Sequence, residues 1–288
     1  MTEPHSPVGG TTRDDQDIAN FQVYTKPEVA AHYASLDYLT PCERLLFDAH
    51  LKSGMAILDV GVGGGRITPY LSSIASHYVG VDYSEEMVRN CRNKFPQLDF
   101  FVADASDLSR FPDLSFDAIV MAFNTLDHVI PGEERRRCLR ECWRLLRPGG
   151  VFIFSSHNPR ACIARPGWSR ERLREFARRF VAERSRLFPL VFFLLTVAKA
   201  VHSFLRAAIR SVLGVIRRTT QSVFWHGEGY LLDSAHGGMM THYWIPARVI
   251  SELAEFNFQF VTLLGDDYPR KSRIWLTGWY YYVFVKKS

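Results

Sequence analysis

The stretch Ile57–Leu71, ILDVGVGGGRITPYL, passes from an apolar run through a glycine-rich turn into a helical pattern, and its reading decides the fold. Ile57, Leu58 and Val60 suit a strand covered on both faces. Gly61, Gly63 and Gly65 remove Cβ atoms where a ligand would have to approach the backbone. Alone the turn is ambiguous. A dinucleotide-binding GxGxxG starting at Gly61 needs glycine where Arg66 stands, and no lysine follows to make a phosphate-binding GxxxxGK[ST] loop.

Working outward, four more short apolar runs alternate with helical patterns. Ala56–Val60, Tyr78–Val81, Asp99–Val102, Ala118–Ala122 and Val151–Ser155 read as strands of a doubly wound parallel sheet. Residues 133–147 form the clearest helix, with Leu139, Cys142, Trp143 and Leu146 on one face. Glu133 and Glu134 open it, Arg144 and Arg147 fall in its last turn, and Pro148-Gly149-Gly150 stops it. Gln259–Leu264 and Trp279–Val285 read as a sixth and seventh strand. The polar loop between them lacks helical period, which predicts an antiparallel pair. The expected fold is α/β, a seven-stranded, mostly parallel sheet with an antiparallel last strand and a helical insertion after the fifth strand.

Acidic residues stand where strands end. Asp82 closes VGVDYS, 21 residues after Gly61, a spacing that lets a carboxylate reach ribose hydroxyls. Asp104 closes FFVADASDL, and FDAIVMAFNTLDHV carries Asn124 to His128 to the same edge. Ligands of open parallel sheets bind at that edge.

These elements together resemble the class I S-adenosylmethionine-dependent methyltransferases. The resemblance rests on Asp59 before the glycines at 61, 63 and 65, the acid at 82, AspAla at 104–105 and LeuArgProGlyGly at 146–150. It covers roughly residues 20–158 and resumes near 240–288. It implies S-adenosylmethionine as methyl donor, with Asp59 and the Gly61–Gly65 turn at its methionine end. Asp82 would take both ribose hydroxyls, Tyr83 would lie against the adenine, and Asp104 would accept the adenine amino group with the Ala105 backbone nearby. Asn124 would help fix the methionine amino group. Tyr24 and Tyr33 resemble aromatic residues that many members place over the cofactor; plain packing of a leading helix explains them equally. FNTLDHV lacks the Asn-Pro-Pro-aromatic run of enzymes that methylate base or amide nitrogens, which disfavours DNA as substrate. The double-Glu loop of protein arginine methyltransferases is also missing.

An oxygen or protonated nitrogen acceptor needs its proton removed. The candidates at the sheet edge are Asp127, His128 and His157, with His242 returning from beyond the insertion. For His128 a loop or core histidine with a satisfied hydrogen bond is the plainer reading; His157 has a slightly stronger claim, because in the family that the sequence resembles a residue just past the fifth strand usually borders the acceptor pocket.

The net charge is +5, unevenly spread. Residues 160–218 hold thirteen arginines and one lysine against three glutamates, a net +11, leaving −6 elsewhere. Residues 170–188 read as an amphipathic helix. Beyond Pro189, Lys199, His202, Ser203, Arg206, Arg210 and Arg217 fall within about 60° of one line on an otherwise apolar helix. The charge-free stretch Leu187–Ala198 is too short to cross a bilayer, which takes about 20 residues. The segment 187–218 therefore reads as an interfacial element on an anionic membrane, as a soluble lid or homodimer contact, or as an RNA contact. RNA is disfavoured, because no continuous basic face carries stacking aromatics.

Five cysteines without CxxC spacing argue against a disulfide framework or a metal site, and fit reduced thiols in a cytoplasmic protein. Residues 1–18, polar and lacking a basic start before an apolar run, read as a disordered leader rather than a signal peptide. The expected organisation is a core over 19–159, the insertion over 160–238 and core completion over 239–288. The expected function is methyl transfer to a small, hydrophobic or lipid-linked acceptor, with oxygen favoured, in a cytoplasmic protein, with peripheral seating at the inner face of the membrane as the reading that the basic segment adds. An RNA methyltransferase or a non-catalytic cofactor-binding scaffold are the rival readings.

Overall fold

A computed structural model describes residues 27–130, 132–159, 227–233, 239–269 and 277–287. Tyr24, Cys162, the leader, the helices expected over 170–188 and 190–218, and His236–Gly238 lie outside the described residues.

The chain enters through α1 (Pro27–Ala34) and α2 (Pro41–His50). Helix α2 has a complete capping box: Thr40 Oγ1 accepts the Glu43 N–H and Glu43 Oε2 accepts the Thr40 N–H. There follow β1 (Met55–Val60), α3 (Thr68–Ile74), β2 (Ala75–Asp82), α4 (Glu85–Lys94), β3 (Asp99–Val102) and β4 (Phe116–Met121). Ser84 caps α4, with Glu85 and Glu86 in its first turn and Arg92 and Lys94 in its last. A 3₁₀ turn (Thr125–His128), α5 (Gly132–Leu145) and β5 (Leu146–His157) complete the first half.

The sheet order is β3-β2-β1-β4-β5-β9-β8, with β8 (Phe258–Gly265) and β9 (Trp279–Lys286). Strands β1 to β5 run parallel, and β9 lies antiparallel to both β5 and β8. The antiparallel final pair is observed, and helices separate the parallel strands except between β3 and β4, where residues 103–115 hold no helix. One core lies on each face. Leu58, Val60, Ile119 and Phe152 pack one way with Leu139 and Leu145 of α5, while Ile57, Val120 and Ile153 pack the other way with Leu46 and Phe47 of α2. Coverage on both sides is why β1 reads as a continuous apolar run.

Two local expectations are corrected. Helix α5 ends at Leu145, and LeuArgProGlyGly opens β5, with Gly149 at φ 76°. Arg147 therefore pairs with Asp117 instead of closing the helix. The buried side of α5 is Arg135, Cys138, Leu139, Cys142 and Leu145, whereas Trp143 is 36% exposed beneath the Lys286 ammonium, 3.9 Å from its ring. Lys286 Nζ donates to the carbonyls of Trp143 and Leu146, which pays for the end of the helix.

A second, two-stranded sheet was not anticipated. Strands β6 (Glu228–Asp233) and β7 (Met239–Trp244) form an antiparallel hairpin, so the boundary expected at 238 falls inside it. Buried Arg135 of α5 holds the hairpin: it donates to Glu228, faces Glu252 of α6 (Pro246–Glu255), and lies over the Trp244 ring. An arginine within an apolar helix face gives no warning of a polar anchor.

Candidate active site

The turn that opens the site is shaped by what its glycines touch. Gly61 (φ 73°) faces Thr125, whose Cγ2 would lie 2.3 Å from an added Cβ. Gly65 (φ 76°) faces Phe95 and does not line the cavity. At Gly63 (φ 55°) an added Cβ would meet only Tyr33, at 3.9 Å, so this glycine opens onto the cavity. Gly64, not singled out by spacing, presses on the backbone of Tyr33 and Ala34 and seats α1 over the turn. Of the three spaced glycines, Gly63 has the most open space, whereas at Gly61 and Gly65 close neighbours leave no room for a Cβ.

The resulting cavity has a volume of about 690 Å³ and lies outside the carboxyl ends of β1, β2 and β4. Asp59, Gly61, Gly63, Asp82, Tyr83, Asp104, Ala105, Tyr33 and His128 all line it. Asp82 is 7% exposed; its Oδ2 accepts the Gly63 N–H and its Oδ1 the Ser84 N–H, each at 2.9 Å. Burial pushes its carboxyl up to about 6, against the pull of those N–H donors. Asp59 accepts from the Tyr78 hydroxyl at 2.8 Å, and burial pushes its carboxyl up to about 7, with Tyr78 and Arg66 opposing. Asp104, exposed, accepts from the N–H and hydroxyl of Ser106.

Arg66, noted in the sequence only as the residue that breaks a dinucleotide motif, also lines the cavity. It is buried between Phe123, 4.1 Å from the ring, and the Glu43 carboxylate. Glu43 additionally accepts from the Tyr281 hydroxyl of β9 at 2.6 Å. The readable signal for this anchor was the Thr-x-x-Glu capping pattern at 40–43.

Three expected residues sit behind the cavity wall. Asn124 (φ 62°), Asp127 and His157 do not line it, whereas Asn124's neighbours Phe123 and Thr125 do. They are joined to one another. Asp127 is fully buried and its Oδ2 accepts both the backbone N–H and Nδ1 of His157, at 2.7 and 2.8 Å. The His157 Nε2 lies 3.2 Å from Asn124 Nδ2. His128 stands edge-on to His157, with ring centroids 6.1 Å apart. His242 is elsewhere, in β7 of the hairpin, buried against Glu228 of β6 at 3.0 Å, and burial lowers its pKa.

The comparisons with known proteins follow the same outline. A family model described as a methyltransferase domain matches residues 58–154, the span from β1 to β5 that carries the turn and both carboxylates. The match leaves the rest of the chain, about two thirds of it, outside the family model. A fatty-acid O-methyltransferase of Mycolicibacterium smegmatis is 35% identical to this chain over 121 residues, which is 41% of this chain and 42% of that protein. A ubiquinone biosynthesis O-methyltransferase of Xanthomonas oryzae pv. oryzae is 30% identical over 137 residues, 46% of this chain and 53% of its own length. The chain thus spans about half the length, or less, of these curated relatives. A Burkholderia thailandensis 1,6-didemethyltoxoflavin-N1-methyltransferase, solved with its acceptor and S-adenosylhomocysteine, has the same fold. Its TM-score is 0.57 at 14% identity, over 99% of this chain and 94% of that one.

S-adenosylmethionine is the cofactor that the resemblance implies. The residues present fit it: Gly63 leaves room for close approach, and the two buried carboxylates beside it line the cavity where hydroxyls and a cationic methionine end would need acceptors. Among the described residues no helix is long and apolar enough to cross a membrane, and no group of His, Cys, Asp and Glu is arranged to hold a metal. The described cysteines, Cys42, Cys91, Cys138 and Cys142, are buried free thiols.

Proposed function

We propose that this chain transfers the methyl group of S-adenosylmethionine to an oxygen of a small hydrophobic or lipid-linked acceptor. The observation that carries the reading is the pairing of the open Gly63 with the Asp82 carboxylate on the wall of a cavity large enough for a nucleoside. Asp82 would accept from the ribose hydroxyls while keeping its bonds to Gly63 and Ser84. Asp59 and the turn would face the ammonium, with Tyr83 and Ala105 beside the adenine and Asp104 at its amino group. Asn124, reached past Phe123 and Thr125, would complete the methionine end. When bound, the cofactor supplies a methyl carbon on a positively charged sulfur that departs as a neutral thioether, so the protein's task is alignment and exclusion of water.

Two features support the acceptor class. The relatives named above are O-methyltransferases of a fatty acid and of ubiquinone biosynthesis. The basic, otherwise apolar sequence over 187–218 suits contact with an anionic lipid surface.

Calorimetry with S-adenosylhomocysteine, followed by incubation with tritiated methyl donor and cell extract split into lipid, small-molecule and RNA pools, tests the reading. Heat of binding and label in the lipid or small-molecule pool is the expected result. Absence of binding by folded protein would remove the donor, and label confined to RNA would replace the acceptor.

A further inference from the structure

The array behind the cavity wall has the donors and acceptors of a site that takes up a proton. An ionised carboxylate can only accept hydrogen bonds, so the His157 Nδ1 facing Asp127 Oδ2 at 2.8 Å must carry hydrogen. In the neutral imidazole this leaves Nε2 as a lone pair, and the Asn124 Nδ2 amide donates to it at 3.2 Å. If Nε2 becomes protonated, turning the same amide presents Oδ1 to the new N–H. Asn124 Oδ1 is buried and otherwise without a hydrogen-bond partner, so the amide is free to serve either form. Asp127 accepts Nδ1–H in both.

The carboxylate is itself held from a third element. Ser156 Oγ donates to Asp127 Oδ1 at 2.7 Å and accepts from Trp244 Nε1 at 2.6 Å. Ser156 and Trp244 are fully buried. Trp244 belongs to the β6–β7 hairpin, where the Arg135 guanidinium covers its ring. The Tyr243 ring, one residue earlier, lies 5.2 Å from His157. The alignment of the imidazole thus depends on docking of the hairpin.

We propose that His157, oriented by Asp127 and reached past Asn124, accepts the proton of the acceptor hydroxyl, and that Trp244 and Ser156 are positioning residues that fix its tautomer. The inference rests on the methyl-transfer reading and names its proton acceptor. The O–H proton moves to the Nε2 lone pair, and the bonding pair stays on the acceptor oxygen, which then has the electrons for the new O–C bond. The resulting imidazolium lies against the Asp127 carboxylate, and the proton later passes to water. A hydroxyl needs such a partner, whereas a free amine brings its own lone pair; the array therefore favours oxygen.

Nitrogen NMR of the full chain with ¹⁵N-histidine and no cofactor reads the tautomer directly, with His157 assigned by difference from His157→Gln. The neutral ring is expected to carry hydrogen on Nδ1 and none on Nε2. Ser156→Ala and Trp244→Phe should each give a mixture of tautomers while binding S-adenosylhomocysteine within about twofold of the parent, since the hydrogen bonds they lose, two for Ser156 and one for Trp244, are to residues that do not line the cavity. Asn124→Ala should speed acylation of His157 by diethylpyrocarbonate about two- to tenfold, the worth of one lost hydrogen bond to Nε2. An Nε2–H tautomer in the parent, an unchanged tautomer in both positioning variants, or an unchanged acylation rate would each overturn the proposal. Failure of the donor reading shows separately, as absent heat with S-adenosylhomocysteine in a parent protein whose histidine spectrum is as expected.

Discussion

Asp82 and Asp59 hold their protons to unusually high pH, to about 6 and about 7, because burial penalises their charge. Both pKa values lie above the unfolded value, so charging these groups opposes folding at pH 7.5, and their opposition is relieved as pH falls through 7 and 6. Donor binding runs the other way, since hydroxyls and an ammonium need carboxylates. Calorimetry should therefore show S-adenosylhomocysteine affinity falling about tenfold or more from pH 7.5 to pH 5. At His157, substitution by alanine should lower methyl incorporation about 10²- to 10⁴-fold, the usual worth of a positioned base, and leave S-adenosylhomocysteine affinity within about twofold. Equal loss of both would make the residue structural. Asp82 was legible in sequence because its position after the turn is set by strand and helix lengths that repeat in such folds. The link between Asp127 and His157 was not: thirty residues separate them, and only the parallel pairing of β4 with β5 brings their strand ends together.

Among the elements, the glycine turn is supported less by itself than by what lies against it. Glu43 of α2 accepts hydrogen bonds from the Thr40 N–H, two nitrogens of Arg66 and the Tyr281 hydroxyl, which binds helix, turn and β9 into one unit. Glu43→Gln would leave Arg66 buried without its counter-charge, and thermal or denaturant melts should show a loss of about 3–5 kcal/mol. Tyr281→Phe removes one donor to an otherwise satisfied carboxylate and should cost about 1 kcal/mol. Losses of equal size would mean that the ion pair is not what carries the unit. Helix α5 was readable in its extent to within two residues, yet its buried side was misjudged. Hydrophobic periodicity places Trp143 inward, but its ring stays partly exposed with the Lys286 ammonium over it, while Arg135 goes inward because Glu228 and Glu252 await it.

At the scale of the whole molecule, the parallel character of the first five strands was legible from the helical patterns between most of them, and the antiparallel end because no helical period separates the last two; the order in which the strands lie in the sheet was not read. The hairpin was not, since its apolar faces depend on polar partners supplied by α5 and α6. The segment 160–226 enters two residues beyond β5 and returns one residue before β6, beside the strand end that carries His157. If its charge serves a lipid surface, the full chain should float with vesicles containing phosphatidylglycerol and remain behind with neutral phosphatidylcholine vesicles, an attraction that 0.5 M salt weakens. Behaviour as a defined dimer indifferent to both vesicles would assign the segment to self-association instead.

The reach of Glu43 also sets an order of events during synthesis. The glycine turn leaves the ribosome early, but the phenol that completes its support is encoded 238 residues after the glutamate. A nascent chain therefore carries every carboxylate lining the cavity long before β9, threaded between two earlier strands of the sheet, adds the last hydrogen bond to Glu43.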